Sequence, residues 1–209
     1  MSTAVLIEGM TKGFPRLRAR IPGIVYLLYF LTAVSGEVFV GRGRPVSYIA
    51  VNLIADALYV ALTLLLYSMF RPVNRSLSLL AAIFGLVGCA NDLLGLFHLA
   101  PYKISSLVFF GPYCLLLGYL IFRSKFLPRI LGVLMALAGL GWLIFLTPLA
   151  NRLSIYLKAV GFLAELSLCL WLVLKGVNAQ RWKEQAGAAE QRLFATHRLR
   201  NATHLAPGK

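Results

Sequence analysis

Residues 47–75 read SYIAVNLIADALYVALTLLLYSMFRPVNR, an apolar run that ends in a turn. About 20 apolar residues in an α-helix are enough to cross a hydrocarbon layer about 30 Å thick. The run ends at Arg71-Pro72, because proline disfavours a helical conformation in the residue before it and arginine favours water. Asp56 is the one charged residue between positions 47 and 70. This stretch therefore predicts a membrane helix that carries a carboxylate within it.

The composition extends this prediction to the whole chain of 209 residues. Hydrophobic residues make up 59% and charged residues 13%, with a mean hydropathy of +0.78, whereas soluble domains carry roughly a quarter charged residues. Short turn sequences separate the apolar stretches, which predicts an all-α, polytopic membrane bundle with six transmembrane helices. The predicted spans are residues 21–41, 47–70, 76–100, 104–122, 129–148 and 155–174.

Lysine and arginine are distributed unequally between the two predicted sides of the membrane. Sixteen of the 21 lie in the amino tail, the second loop, the fourth loop and the carboxyl tail, and five lie on the other side. Because cytoplasmic loops carry the excess of basic residues, both termini are expected in the cytoplasm. The net charge of +14 then serves topology and attraction to anionic lipid headgroups, and nucleic acid is not an expected partner.

Three regions are predicted along the chain. A basic cytoplasmic amino tail covers residues 1–20, the six-helix bundle covers 21–176, and a basic cytoplasmic tail covers 177–209. The last region has two interpretations: an amphipathic helix on the anionic inner leaflet, or a solvated basic tail, which its weak apolar face favours. The residues that would share this face are Trp182, Ala186, Ala189, Leu193 and Thr196.

Three stretches of the chain carry a family resemblance. They read LYSMFRPVNR at residues 66–75, LGYLIFRSKFLPRILG at 117–132 and LWLVLKGVN at 170–178. Together they resemble the bacterial membrane family called domain of unknown function 4386 (DUF4386), and the likeness extends from about residue 20 to about residue 182. The resemblance implies a small multi-pass bacterial membrane protein, and it implies no activity, substrate or catalytic residue. The apolar segments themselves are typical of a bundle in the bacterial cytoplasmic (inner) membrane.

Four of the seven acidic residues lie inside predicted helices: Glu37, Asp56, Asp92 and Glu165. An ionised side chain at mid-bilayer costs about 2.5–3.5 kcal/mol on insertion scales, so such residues usually face the interior of a bundle. At 1.5 Å per residue, Asp56, Asp92 and Glu165 fall at a common depth of about 12–15 Å from the outer ends of their helices. The four carboxylates are therefore expected in the outer half of the membrane.

Other polar side chains accompany these carboxylates at helical spacing. Asn52 and Tyr59 share a stripe with Asp56, while Asn91 and His98 are seven residues apart near Asp92. These stripes predict an outward-facing polar cavity for a cation, a proton or a small polar substrate. A carboxyl group in a low-dielectric site favours its neutral form and can exchange protons near neutral pH.

A structural role is the alternative for the same residues, with carboxyl groups that hydrogen-bond to fix the packing of helices. Glu37 has a further alternative, since its side chain could reach the outer interface near Arg42 and Arg44. Asp92 has one too, since Asn91-Asp92 could cap a break in the third span.

Catalytic and metal sites are less well supported. His98 is the one histidine of three in a predicted span, and zinc sites normally recruit several His or Cys ligands. No nucleophile elbow, phosphate loop or dinucleotide fingerprint occurs, so neither a metal nor a cofactor is predicted.

The leading hypothesis is a small transporter or permeation-type protein, which at this length is expected to work as a homo-oligomer or with a membrane partner. Asp56, Asp92 and Glu165 would line its cavity. Two alternatives stay open: an intramembrane enzyme that uses the same carboxylates as acid and base on lipid or peptide, and a non-catalytic scaffold or sensor.

Overall fold

The computed structural model describes residues 20–40, 45–99, 105–189 and 191, and these residues form helices and connecting turns without a strand. We number the helices in chain order. Helix α1 continues into a short π-helical segment, Gly36–Val40, and α5 continues into a 3₁₀ turn, Ile144–Leu146. The helices are α1 Ile21–Ser35, α2 Pro45–Phe70, α3 Arg75–Leu96, α4 Leu107–Arg123, α5 Arg129–Leu143, α6 Ala150–Leu174 and α7, residues 179–189.

Most of these helices suit a membrane. Among the described residues, five helical stretches are long and apolar enough to cross a bilayer, and α4 is a shorter apolar helix. Leu31, Leu137 and Leu163 are each more than half exposed on the outside of the bundle, where an apolar surface of this extent suits contact with lipid. The prediction of an all-α membrane bundle is confirmed. The five stretches are Ile21–Val40, Val46–Phe70, Arg75–Leu96, Arg129–Leu146 and Arg152–Leu174.

The helices α1 to α6 close into a ring. Each packs against the next helix in the sequence, because the connections are too short to reach elsewhere, and α1 also packs against α6. The interior holds fully buried apolar side chains such as Leu62, Leu120 and Leu168. Polar side chains of α1–α6 that avoid lipid must therefore point into this ring or lie near its ends.

The carboxyl end of the chain returns to one end of the ring. Gly176 takes a positive φ of 67° after α6, a conformation that glycine adopts at little cost and that reverses the chain direction. Helix α7 then begins with Asn178 as its cap, whose Oδ1 accepts from the N–H of Arg181 at 3.1 Å. The indole Nε1–H of Trp182 donates to the carbonyl of Met69 at 2.9 Å. This contact anchors α7 against the end of α2, while Leu193 and Thr196 of the predicted amphipathic face lie outside the described residues.

At the opposite end of the ring, α3 ends in a left-handed turn at His98, whose φ is 58°. The N–H of Leu99 donates to the carbonyl of Leu94 at 2.8 Å, and the N–H of His98 donates to that of Gly95 at 3.1 Å. This pair of bonds is a Schellman motif, which satisfies carbonyls that a helix end leaves unpaired.

Helices α4 and α5 approach so closely that their backbones touch. A Cβ added to Gly132 would lie 2.6 Å from the carbonyl oxygen of Gly118, and one added to Gly118 would lie 2.7 Å from that of Gly132. Small residues permit such packing between membrane helices, where van der Waals contact is a main source of stability. The crossing depends on these two glycines.

We expect Gly132→Ala to force α4 and α5 apart and to lower the Tm of the purified protein by about 3–10 °C, since overpacking costs about 1–3 kcal/mol. The matched control is Gly95→Ala in α3, because nothing lies within 4 Å of a Cβ at that position. Size-exclusion chromatography after heating in detergent measures both variants. Equal loss of Tm in the two would contradict the close crossing.

Candidate acidic cavity

A cavity of about 500 Å³ opens at the end of the ring opposite α7. It is lined by carboxylates from three separate segments, namely Glu37 of the π-helical segment, Asp92 of α3 and Glu165 of α6. One cation, Lys158, also lines it. The remaining lining residues are Tyr29, Phe30, Ala33, Val34, Val38, Tyr59, Ser106, Leu107, Phe110, Trp142 and Phe162.

Glu165 lies deepest among the three carboxylates. Its side chain is 9% exposed, and its Oε2 accepts a hydrogen bond of 2.8 Å from the hydroxyl of Tyr26 in α1. A buried carboxyl group without a partner would be costly, so this bond is required for Glu165 to occupy the interior. The bond also connects the first and last membrane helices of the ring.

The indole of Trp142 forms one wall beside Glu165. Trp142 packs directly on Gly161 of α6, where any larger residue would collide with the indole of Trp142. Its Nε1–H is buried and makes no hydrogen bond of regular geometry within the described part of the chain, and Trp142 and Glu165 line the same cavity. The cavity thus has a buried donor next to its deepest carboxylate.

Asp92 is half-buried, and its Oδ1 accepts a hydrogen bond from the hydroxyl of Ser106, the residue just before α4. Helix α3 runs without interruption through Asn91 and Asp92. The alternative that these residues cap a break in the third span is therefore wrong. The Asp92 side chain instead links α3 to the start of α4.

Glu37 lies nearest the mouth of the cavity and is exposed. Its Oε1 accepts a hydrogen bond of 2.8 Å from the hydroxyl of Tyr48 near the start of α2. The π-helical segment that carries Glu37 adds a residue to the turn and so rotates the following side chains, a feature frequent at functional sites. Arg42 and Arg44, the alternative neighbours of Glu37, lie outside the described residues.

The other residues that sequence spacing singled out lie around the cavity with less direct access to it. Asp56 is half-buried in α2 and close enough to Asp92 for their charges to repel each other. Asn52 is half-buried and donates from Nδ2 to the carbonyl of Tyr48 at 2.8 Å. Asn91 is half-buried and His98 is exposed. The described lining of the cavity therefore includes none of these four residues, which are Asn52, Asp56, Asn91 and His98.

Aromatic rings form much of the cavity wall. The ring centroids of Tyr29 and Tyr59 are 4.8 Å apart, those of Tyr59 and Phe110 are 5.1 Å apart, and those of Phe30 and Phe162 are 5.4 Å apart. The faces of such rings are electron-rich and attract cations. Carboxylates and aromatic faces around one space suit an occupant that is positively charged and partly apolar.

The described acidic residues of the cavity do not form a metal site of the usual kind. Within the described ranges, no three His, Cys, Asp or Glu side chains lie close enough together to hold a metal ion.

The sequence did not identify the contacts of three important side chains. Tyr26 lies on the same helical face as Glu37, but its partner is Glu165, 139 residues away. Ser106 and Trp142 carried no signal beyond a position near a helix end. Spacing within one helix identifies a face, and it cannot identify which helix packs against that face.

A ring of apolar helices around an acidic, aromatic cavity defines a multi-pass membrane protein with a polar interior site. Comparison with known proteins then gives the family. Residues 97–176 match the family model described as "Domain of unknown function (DUF4386)". The chain is 32% identical over 159 residues, 69% of this chain and 93% of the relative, to an uncharacterised protein of Archaeoglobus fulgidus. The chain belongs to the DUF4386 family, and no solved structure matches the chain.

We expect Tyr26→Phe to lower the free energy of unfolding by about 1–3 kcal/mol, because it leaves the buried Glu165 without its donor. Tyr113→Phe is the matched control, since the Tyr113 hydroxyl is also buried but makes no hydrogen bond of regular geometry in the described residues. Unfolding by denaturant in detergent micelles compares the two. A loss at Tyr113 as large as that at Tyr26 would contradict the role of the Tyr26–Glu165 bond.

Proposed function

We propose that this protein is a small transporter or permeation-type protein that takes a cation into the acidic cavity from outside the cell. One observation carries the proposal: carboxylates from three separate segments of the ring line one cavity of about 500 Å³. This volume lies within the range of small-molecule sites, roughly 300–1,000 Å³. Placing the buried Glu165 and the half-buried Asp92 within an apolar bundle is costly, and a cationic occupant offsets that cost.

The proposal includes the topology. Helix α4 has 17 residues, which is at the short end of the roughly 17–25 residues that cross a hydrocarbon layer. With α4 counted, six helices cross the membrane. The excess of lysine and arginine in the loops at the α7 end then favours a cytoplasmic location for that end and for both termini. The acidic cavity consequently opens to the outside of the cytoplasmic membrane.

Each carboxylate has a role in the proposal. Glu165 and Asp92 contact the cation, and Glu37 attracts it at the mouth. Asp56 of α2, which is half-buried and outside the described lining of the cavity, exchanges a proton as the charge in the cavity changes. Asn52, Asn91 and His98 contribute polar groups around the cavity, outside its described lining.

The walls favour a cation that carries apolar groups. Tyr29, Tyr59 and Phe110 pack edge to face along one side, and Phe30 and Phe162 pack edge to face on another. An organic ammonium ion would place its charge near the carboxylates and its alkyl groups against these rings. A hydrated inorganic cation would leave the apolar walls without contact.

A structural role is the second candidate, and one observation favours it. Tyr26–Glu165 and Ser106–Asp92 are hydrogen bonds between different parts of the ring, as expected if the carboxyl groups mainly hold helices together. Such a scaffold needs the hydrogen bonds and has no need for the negative charges. Replacing each carboxylate by the amide of the same shape therefore distinguishes the two functions, because the amide removes the charge and keeps a hydrogen-bond acceptor.

The experiment uses the full chain in proteoliposomes, with radiolabelled tetraethylammonium as the cation. We expect Glu165→Gln and Asp92→Asn each to reduce binding by about tenfold or more, because each loses a charge worth about 1.4 kcal/mol or more to the bound cation. Binding to the wild type is expected to weaken as the pH falls, because protons and the cation compete for the same carboxylates. Glu184→Gln on α7, outside the cavity, is expected to bind like the wild type.

Two results would contradict the transport proposal. One is a wild-type protein that is folded and does not bind tetraethylammonium above the level of empty liposomes. The other is equal binding by the wild type, Glu165→Gln and Asp92→Asn. If the variants also lose Tm without a change in binding, the scaffold is the better description.

A further inference from the structure

The end of the ring opposite the acidic cavity carries a groove of about 870 Å³. Its walls come from three parts of the chain: the turn after α2, residues 122–129 from the end of α4 to the start of α5, and one side of α7. The residues that line it are Pro72, Val73, Phe122, Arg123, Ser124, Lys125, Leu127, Pro128, Arg129, Arg181, Glu184, Gln185, Ala188 and Ala189.

The groove is strongly basic. Arg123, Lys125, Arg129 and Arg181 line it and are exposed, against one carboxylate among its described lining, that of Glu184. Like charges so close together repel one another, and the usual compensation is an acidic partner on the protein. In the described residues no carboxylate forms an ion pair with any of these cations. Among its described lining residues, the groove therefore carries four cations against one carboxylate, an excess of about three positive charges.

Hydrogen bonds between distant segments hold the groove together. The Lys125 N–H donates to Oε1 of Gln185 at 3.2 Å, and Nη1 of Arg181 donates to the carbonyl of Lys125 at 3.4 Å. The Asn178 N–H donates to the carbonyl of Phe126 at 3.4 Å. Together with the hydrogen bond from the Trp182 indole to the carbonyl of Met69, these bonds hold α7 beside residues 122–129. The fold therefore brings together cations from two separate segments of the chain, residues 122–129 and α7.

The kinds of cation in the groove indicate the ligand. Three of the four are arginines, whose planar guanidinium groups bind phosphate oxygens in pairs. The guanidinium of Arg129 lies 5.5 Å from the centroid of the Phe122 ring, which orients it without neutralising its charge. Helix α5 also begins at this wall, after Pro128, without a side-chain cap, so its first N–H groups add partial positive charge.

We propose that this groove is a binding site for a phosphate-bearing anion, formed by docking of α7 on the end of the ring. The phosphate belongs either to the headgroup of an anionic lipid in the adjoining leaflet or to a soluble phosphate compound. The proposal does not depend on the acidic cavity, which lies at the other end of the ring and attracts charge of the opposite sign.

The test places the full-chain protein in phosphatidylcholine nanodiscs and has two arms. In the first, spin-labelled phosphatidylglycerol is added and the fraction held at the protein is measured by electron paramagnetic resonance. In the second, inorganic pyrophosphate is titrated by calorimetry. The groove variant is Arg123→Gln, Arg129→Gln, Arg181→Gln. The control variant, Arg71→Gln, Arg75→Gln, Lys183→Gln, removes equal charge from exposed residues of the same end that do not line the groove.

We expect the groove variant to lose about tenfold in affinity for at least one probe, and the control variant to lose less than about threefold. If the groove variant loses affinity for phosphatidylglycerol, the ligand is a lipid headgroup. If it loses affinity for pyrophosphate, the ligand is a soluble phosphate compound. Either outcome supports the site. Glu184→Gln guards against misfolding as an explanation, because removal of the groove's carboxylate is expected to raise affinity about twofold or more. The proposal is overturned if neither probe binds the wild type, or if groove and control variants lose affinity equally.

Discussion

A carboxyl group inside the hydrocarbon layer must find a partner within the protein, and this constraint organises the ring. Glu165 meets it through the hydroxyl of Tyr26, 2.8 Å away on α1. The hydrogen bond lowers the cost of burying Glu165. Because α1 and α6 are the first and last helices of the ring, the same bond also helps to close the bundle. The cost of about 2.5–3.5 kcal/mol for an unpaired ionised group is comparable with a large part of the stability of a small protein. The position of one side chain and the closure of the fold are thus coupled.

The two ends of the ring have opposite character. The end with the π-helical segment gathers carboxylates around a partly apolar cavity, while the other end gathers arginines and a lysine in the groove beside α7. Loops that stay in the cytoplasm are generally basic, so the proposed orientation accounts for the basic end. The acidic end has no such general cause, because topology does not require carboxylates within helices. This difference is why the cavity is the better guide to function.

Sequence reasoning placed the helices well and the contacts poorly. The spans could be predicted because apolar runs and Pro-, Gly- and Arg-containing turns are local signals: the fifth span, predicted at 129–148, is α5 Arg129–Leu143 with its 3₁₀ turn to Leu146. The acidic residues of the cavity could be singled out because carboxylates are rare in apolar runs. The neighbours of those residues could not be predicted, since Ser106 and Trp142 come from other parts of the chain. Their positions beside Asp92 and Glu165 depend on how the helices pack into a ring.

The central claim is that Asp92 and Glu165 face one cavity that accepts a cation. The most direct measurement is a crystal structure of the full chain with a bromine-substituted alkylammonium ion, located by its anomalous scattering. We expect one bromine peak inside the ring, within about 6 Å of an aromatic ring of the cavity wall, with the ammonium group toward Glu165 and Asp92. A well-ordered structure in which the ion lies elsewhere, or in which these two carboxylates open into separate spaces, would contradict the claim.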